Sequence, residues 1–339
     1  MSDIFDVRVS GGGPAGAVTA LCLARRGIRV ALCEATGFDT ERFGETLPPE
    51  INPVLNDLDL WDAFSALGSL EAPGILSCWG SDSPVVQDFV SNAYGCGWHV
   101  DRNRFDAMLC REAARAGAKL LLNSRAPEHV RAGYLVDASG RTGLRTDEEH
   151  RYDKDDSLIA IALRLAGSSR DVRTIIETTS HGWWYSAPVP SSETVAMFFT
   201  DPKIYTRAGI VIGDELELAP LTCARVESTR IAATRVLHAT SACRRRIFGR
   251  NWLAVGDSAS SYDPLSGRGV FKALRHGVEA ARAIAEGSAE AYSAMVQDEF
   301  KKYVRQRRIY YAGEGRWPGS IFWSRRAARV KTESESQSL

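Results

Sequence analysis

The chain has 339 residues, and its 42 Lys plus Arg balance 42 Asp plus Glu, so the formal net charge is zero. Such a surface has no long-range field to gather nucleic acid or an anionic membrane face, and no run of about 18 apolar residues offers a bilayer span. The length exceeds what one hydrophobic core fills, about 250 to 300 residues, so two intimately joined domains are expected. Seven cysteines, Cys22, Cys33, Cys78, Cys96, Cys110, Cys223 and Cys243, are scattered without metal-ligand spacing and read as reduced thiols with no metal site. The first strand begins almost at Met1 and leaves no room for a signal peptide, so a cytoplasmic protein is expected.

In chain order, the apolar run at residues 5–9 predicts a strand, and GGGPAG at 11–16 opens an Ala-rich helix over 15–26 that stops at Gly27. A second apolar run from Ile28 ends on Glu34. Together these form a dinucleotide signature: the glycines let backbone approach a pyrophosphate, the helix N-terminus favours its charge, and the carboxylate accepts a ribose hydroxyl's proton. A bare strand-to-helix turn is the alternative. Helical spacing recurs over 104–116, ended by Gly117, and short buried strands follow at 120–122 and 134–136. VDASGR then delivers Asp137 and turns through Gly140 to Arg141, which suits backbone passing a cofactor and equally suits an ordinary loop.

Segments 157–165 and 194–200 alternate or run apolar as in an antiparallel sheet. Arg244, Arg245 and Arg246 read as a solvated face. A buried-type strand at 252–255 ends on Gly256 and Asp257, offering a carboxylate at a strand's carboxyl edge. Pro264 to Gly269 make a Gly-rich entry to a helix over 270–285, whose free amides can stabilise negative charge; capping by Ser266 is the alternative. Helices rich in Tyr, Arg and Trp follow from Tyr292, and KTESESQSL from Lys331 is expected to be disordered.

GGGPAG with Glu34, RFGETLPP at 42–49, HVDRNRFDAML at 99–109, LVDASGR, GWWYSAPVP at 182–190 and GDSASSYDPLSGRG at 256–269 occur in one order along nearly the whole chain. In that order and content the chain resembles the flavin-dependent monooxygenases and halogenases of the hydroxybenzoate-hydroxylase type. The resemblance implies an α/β fold with a Rossmann-like FAD-binding domain (residues 1–75, 99–150 and 235–290). An inserted antiparallel β-rich substrate domain (76–98 and 151–234), a C-terminal helical segment (291–330) and the tail 331–339 complete it. It implies that Gly11, Gly13, Ala15 and Gly16 hold the pyrophosphate and Glu34 the adenosine ribose. Arg42 and Arg102 would meet the phosphate or ribityl region, Asp257 the flavin's linker, and Pro264, Gly267 and Gly269 the isoalloxazine edge.

The C-terminal YYAGEGRWPGSIFWSRR at 310–326 is similar to the subgroup that matures quinone-cofactor amine and amino-acid oxidases by hydroxylating a protein-borne tryptophan. Its Trp317, Phe322 and Trp323 read either as substrate contacts or as packing of a last helix. The tryptophan halogenases are also similar, but they need a lysine in the N-terminal half, and here none precedes Lys119; the expected place, 71–75, reads EAPGI. Their GWxWxIP signature keeps Gly182, Trp183 and Pro188, with Tyr185 and Ala187 replacing the second tryptophan and the isoleucine.

The function implied is therefore an FAD-dependent monooxygenase: reduced flavin captures dioxygen, and the distal oxygen of the hydroperoxide passes to an aromatic, indole-type ring. That ring belongs to a small molecule or to a tryptophan of a partner protein, with NAD(P)H or a separate flavin reductase as electron source. Trp183, Trp184 and Tyr185 read as a wall that keeps the site dry or as strand-core aromatics. Glu45 is a candidate catalytic acid or an acceptor of local backbone amides, and His99 and His181 are relays or structural histidines. A halogenase or reductase of the same fold stays open. So does a non-catalytic FAD-binding partner protein, suggested by the short connection between residues 122 and 134 and a short stretch at 201–217.

Overall fold

The computed structural model describes residues 4–125, 130–143, 151–167, 169–207, 209–227 and 229–327; the tail expected to be disordered, 331–339, lies outside the described residues. Chain contacts divide the protein into two compact units, Met1–Gly68 with Asp101–Lys154 and Ser241–Lys301, and Ser69–Val100 with Asp155–Thr240 and Lys302–Leu339.

The first unit is built on a six-stranded sheet in the order Phe248–Gly249, Trp252–Ala254, Arg131–Asp137, β1 (Ile4–Ser10), β2 (Val30–Cys33), Lys119–Leu121. All neighbours run parallel except the hairpin of Phe248–Gly249 with Trp252–Ala254. Helix α1 (Pro14–Arg25) is the crossover between β1 and β2, with proline in its first turn. Proline is preorganised there because its missing N–H would have no intrahelical partner. Ala17, Val18, Ala20, Leu21 and Leu23 are all buried, so α1 is enclosed on more than one face. Helix Gly269–Glu286 lies directly against it: a Cβ at Gly277 would stand 2.8 Å from the Ala15 carbonyl oxygen and 2.9 Å from the Val18 Cβ.

A small sheet of Tyr152–Lys154, Ala242–Arg244 and Ser260–Ser261 belongs to the same unit. It corrects the expectation that Arg244 to Arg246 form one solvated face. The strand ends at Arg244, which is 1% exposed, and Arg245 beyond it is exposed and paired with Asp153. Arg244 is held there by Asp137 at 3.0 Å and by the Trp252 ring, 5.0 Å from its guanidinium carbon.

The second unit carries a seven-stranded sheet in the order Arg230–His238, Ile159–Ala166, Glu193–Thr200, Gly182–Val189, Thr174–Thr179, Gly74–Cys78, Val85–Asp88. It is antiparallel, as the alternation predicts, except that Thr174–Thr179 and Gly74–Cys78 run parallel. Those two strands come from distant parts of the chain, and no hairpin dictates their relative direction. Ile159, Ile161, Leu163, Leu165, Trp184, Phe198, Ala219 and Val226 form its core on one face. The stretch 201–217, read from the sequence as short, forms helices Pro202–Arg207 and Ile212–Glu217, and Tyr205, Ile212 and Leu216 pack against that core. Helix Ala289–Ala312 and a helical segment at 321–327 end the described chain.

His99, at the end of strand Gly97–His99, is fully buried, with Nε2 2.8 Å from the Val172 carbonyl oxygen, to which a neutral ring donates. This favours the structural reading over the relay. Burial pushes its imidazole down to about 4 from 6.5. Between those values the unfolded chain binds a proton that the folded chain does not, so stability is full above about pH 6.5 and falls as the pH drops toward 4, by up to about 3 kcal/mol. Urea unfolding at a series of pH values checks this, and His99→Gln is expected to flatten the slope over that window.

Candidate functional site

The glycine loop between β1 and α1 divides by function. Gly11 has φ +116°, a conformation side chains resist, and a Cβ there would meet the Ala138 carbonyl oxygen at 2.2 Å. At Gly16 a Cβ would lie 2.0 Å from the Gly11 carbonyl oxygen. These two positions lack side chains so that strand, helix and the Ala138 turn can close on one another. Gly13 differs: it caps α1 and nothing stands within 4 Å of where its Cβ would be. No side chain caps the helix, and the first intrahelical bond is Ala17 N–H to the Gly13 carbonyl, 2.9 Å. The amides of Ala15 and Gly16 therefore stand ahead of the helical ladder at the positive end of the helix dipole, beside open space, which fits a pyrophosphate. Gly12, which sequence reasoning passed over, donates its N–H to Glu34 Oε2 at 2.8 Å and leaves no room for a side chain against the Glu34 Cβ, 2.9 Å away.

Glu34 stands directly after β2, 5% exposed. Its carboxylate accepts the Gly12 amide, the Thr36 amide (3.0 Å) and hydroxyl (2.8 Å), and Arg42 Nη2 at 2.7 Å. Arg42 in turn reaches Asp106 at 2.9 Å, and Asp106 also takes Arg102 at 3.1 Å. Arg102 additionally donates to the Phe43 carbonyl oxygen at 2.7 Å. Glu34, Arg42, Asp106 and Arg102 thus form one chain of alternating charge. Asp106, 1% exposed, is the member that sequence reasoning missed; its signal was the four-residue spacing Arg102 to Asp106 on one helix face. Glu45 is 1% exposed and accepts the Gly44 amide at 3.0 Å, the local backbone contact weighed for it.

Asp257 follows strand Trp252–Ala254, with 30% of its side chain open to water. Lys272 reaches it at 2.8 Å and Arg141 at 3.3 Å. Surrounding protein would raise the Asp257 carboxyl, but Lys272, Arg141 and Arg102 outweigh this and hold it below the usual carboxylate range. Lys272 is 4% exposed; its ammonium also donates to the Ser260 carbonyl and lies 4.3 Å from the Tyr262 ring centroid. Burial pushes its amine down, against the pull of Asp257. Lys272 was also missed, although a lysine among the buried positions Val270, Ala273, Leu274 and Gly277 was a signal that the charge has a partner. Ahead of that helix, Pro264–Ser266 form a single 3-10 turn and Gly267 is left-handed at φ +60°. The Ser266 hydroxyl accepts the Arg268 amide at 3.3 Å, but the N-cap Arg268 gives the helix no side-chain cap, and space around Gly267 and Gly269 is open. The first-turn amides of a second helix are thus left for a ligand.

The comparisons with known proteins agree with this geometry. Residues 5–153 match the family model described as an FAD binding domain. LodB of Marinomonas mediterranea, named as an FAD-dependent oxidoreductase, is 30% identical and aligns over 96% of this chain and 97% of its own. The chain belongs to the FAD-dependent monooxygenase and halogenase superfamily. Among solved structures, the flavin-dependent halogenase CmlS superposes with a TM-score of 0.84 at 21% identity, covering 100% of this chain and 71% of that one. The peptidyl tryptophan dihydroxylase QhpG, essential for tryptophylquinone cofactor biogenesis, superposes with a TM-score of 0.77 at 21% identity, covering 96% and 79%. FAD is the cofactor. All seven cysteines of this flavoprotein are free thiols, and no described helix is long and apolar enough to cross a membrane.

The aromatic candidates of the flavoprotein lie in its β-rich unit. Trp183 and Trp184 alternate across strand Gly182–Val189 and are 1% and 0% exposed. Trp183 stacks on Phe199 at 4.0 Å and donates to the Tyr311 hydroxyl at 3.0 Å; Trp184 sits in the apolar core and donates to the Glu215 carbonyl at 3.1 Å. Of the two readings for these tryptophans, the strand core describes their surroundings. Tyr185 is only half-buried. Phe322 and Trp323 are likewise packed, Trp323 donating to the Thr179 carbonyl at 2.8 Å, whereas Trp317 is half-buried and lines a cavity with His181.

Asp106 neutralises two guanidinium groups, so Asp106→Asn leaves Arg42 and Arg102 short of charge in a largely buried site. A loss of about 3 to 5 kcal/mol is expected in denaturant unfolding, with FAD retention falling in parallel.

Proposed function

We propose that this flavoprotein is a monooxygenase that hydroxylates the ring of a tryptophan carried by a partner polypeptide, its electrons arriving through NAD(P)H or a separate flavin reductase. The observation that carries the reading is the lysine inventory. No lysine occurs before Lys119, and the buried Lys272 is committed to Asp257, the Ser260 carbonyl and the Tyr262 ring. The amine that a tryptophan halogenase would use to carry or position hypohalous acid has no counterpart in the first 118 residues, which argues against halogenation. Support for the tryptophan substrate comes from the C-terminal motif at 310–326 and from the fold shared with QhpG, named as a peptidyl tryptophan dihydroxylase.

Bound FAD supplies the redox chemistry that activates dioxygen for transfer of one oxygen atom to the ring. The residues of the chain hold and orient it. Gly13 with the amides of Ala15 and Gly16 would take the pyrophosphate, and Gly11 and Gly16 let the loop close beneath it. Glu34 would take the adenosine ribose. Three donors converge on Oε1 and only the Gly12 amide reaches Oε2, so Oε2 is the oxygen with acceptor capacity left for a ribose hydroxyl. Asp257, held below the usual carboxylate range by Lys272, Arg141 and Arg102, would accept hydrogen bonds from hydroxyls of the ribityl linker. The uncapped amides of the open first turn at Gly267 and Gly269, edged by Pro264, would stabilise negative charge on the flavin ring. The β-rich unit is the domain we assign to the substrate.

Two measurements test this. Gly13 is extended (φ −73°, ψ 178°) with space around it, so Gly13→Ala is expected to leave thermal unfolding unchanged while weakening FAD binding about tenfold; Gly16→Ala, driven into the Gly11 carbonyl, is expected to lose the fold itself. In turnover with a flavin reductase, NAD(P)H, isotopically labelled dioxygen and a tryptophan-bearing partner polypeptide, mass spectrometry is expected to find labelled oxygen on the tryptophan. Halogen incorporation in the presence of chloride or bromide, or no mass gain at all, overturns the proposal.

A further inference from the structure

A cavity of about 710 Å³ opens in the β-rich unit, lined in part by Lys203, Arg207, Arg316, Arg325, Trp317 and Ile321. The carboxylates around it are occupied. Asp201 holds Arg325 at 3.3 Å and Arg326 at 2.7 Å, Glu215 is engaged by His181 at 2.5 Å and by Thr179 at 2.9 Å, and Glu314 holds Arg316 at 2.8 Å. Lys203 and Arg207 have no ion-pair partner among the described residues and are exposed. The short helix that carries them, Pro202–Arg207, contains no acidic residue. The cavity therefore holds an excess of positive charge that the protein does not itself neutralise.

The spacing of that charge and the rest of the lining narrow the ligand. Lys203 and Arg207 are four residues apart, on one helix face and about 6 Å apart along the axis. Neighbours at this spacing can share one anion or take one carboxylate each, and the second arrangement, with an apolar lining beside it, fits a peptide that carries two acidic side chains. The lining is also partly apolar: Trp317, Pro318 and Ile321 contribute to it, and Ile321 is 64% exposed. The Trp317 indole N–H is shut off from solvent and has no hydrogen-bond partner. A buried donor left unmatched is costly, so a ring that turns toward an acceptor in the cavity recovers a bond.

We propose that this cavity binds an acidic peptide segment of a partner polypeptide, with two carboxylates on Lys203 and Arg207 and an apolar side chain between them against Trp317 and Ile321. The site uses none of the residues assigned to FAD, but Trp317 and Ile321 belong to the motif at 310–326 that supports the tryptophan substrate, so in that respect it rests on the reading above; its test reads binding and not turnover, so the two can fail separately.

The test uses the FAD-loaded full chain and a fluorescein-labelled peptide of alternating Glu and Leu, followed by anisotropy, beside the same peptide with Gln for every Glu. The Glu peptide is expected to bind at least tenfold more tightly than the Gln peptide, and more weakly as salt rises. The double variant Lys203→Glu, Arg207→Glu is expected to lose at least tenfold in affinity for the Glu peptide with its flavin absorbance and thermal unfolding unchanged; both side chains are exposed, so folding is not at stake. Absence of binding, equal affinity for the two peptides, or undiminished binding by the double variant overturns the proposal. So does complete displacement of the peptide by millimolar inorganic phosphate, which would mark a site for simple anions.

Discussion

The flavin-binding unit depends on backbone and methyl groups meeting where any larger side chain would block them. Gly11 and Gly16 let β1, the start of α1 and the Ala138 turn close on one another. On the far side of the same helix, Ala15 lies against Gly256 and Gly277, where an added Cβ would come within 2.6 Å of the Ala15 Cβ and 2.8 Å of its carbonyl oxygen. Ala15 therefore joins the opening βαβ unit to the late strand and helix that supply Asp257, Gly267 and Gly269. Interiors packed this closely transmit small displacements rather than absorbing them, so both halves of the proposed FAD site share one geometric constraint.

Electrostatics follow from that closure. Glu34, Asp137 and Asp257 all stand at or just beyond the carboxyl ends of parallel strands, the edge where ligands bind in such sheets. None is left as a bare anion: Arg42, Arg244 and Lys272 with Arg141 respectively accompany them. A cofactor with a pyrophosphate would be repelled by three uncompensated carboxylates. Pairing them keeps their acceptor oxygens in place for hydroxyl groups while removing most of that repulsion.

In the β-rich unit the aromatic residues divide by burial. Trp183, Trp184, Phe322 and Trp323 have their rings enclosed, and each tryptophan N–H in that set has an acceptor. Trp317 differs on both counts, half-buried and with an unmatched N–H, which is why the C-terminal motif contributes both packing and a cavity wall. Arg326 shows how firmly that segment is anchored, with its guanidinium 3.9 Å from the Phe322 ring centroid and an ion pair to Asp201.

The sequence by itself determined the βαβ unit, the glycine loop with Glu34, the helix ends at Gly27 and Gly117, and the family motifs, because each of these signals is complete within a short local stretch of chain. Tertiary structure puts Gly13 in open space and Gly11 and Gly16 against backbone, the division of roles that the fingerprint assigns by position. It alone placed Asp106 between two arginines, drew Lys272 to Asp257 and turned Arg244 inward to Asp137. It also set the parallel pairing of Thr174–Thr179 with Gly74–Cys78. A charge or a strand is assigned by its partner, and Arg42 lies 64 residues from Asp106 and Arg244 107 from Asp137, beyond the reach of any local periodicity.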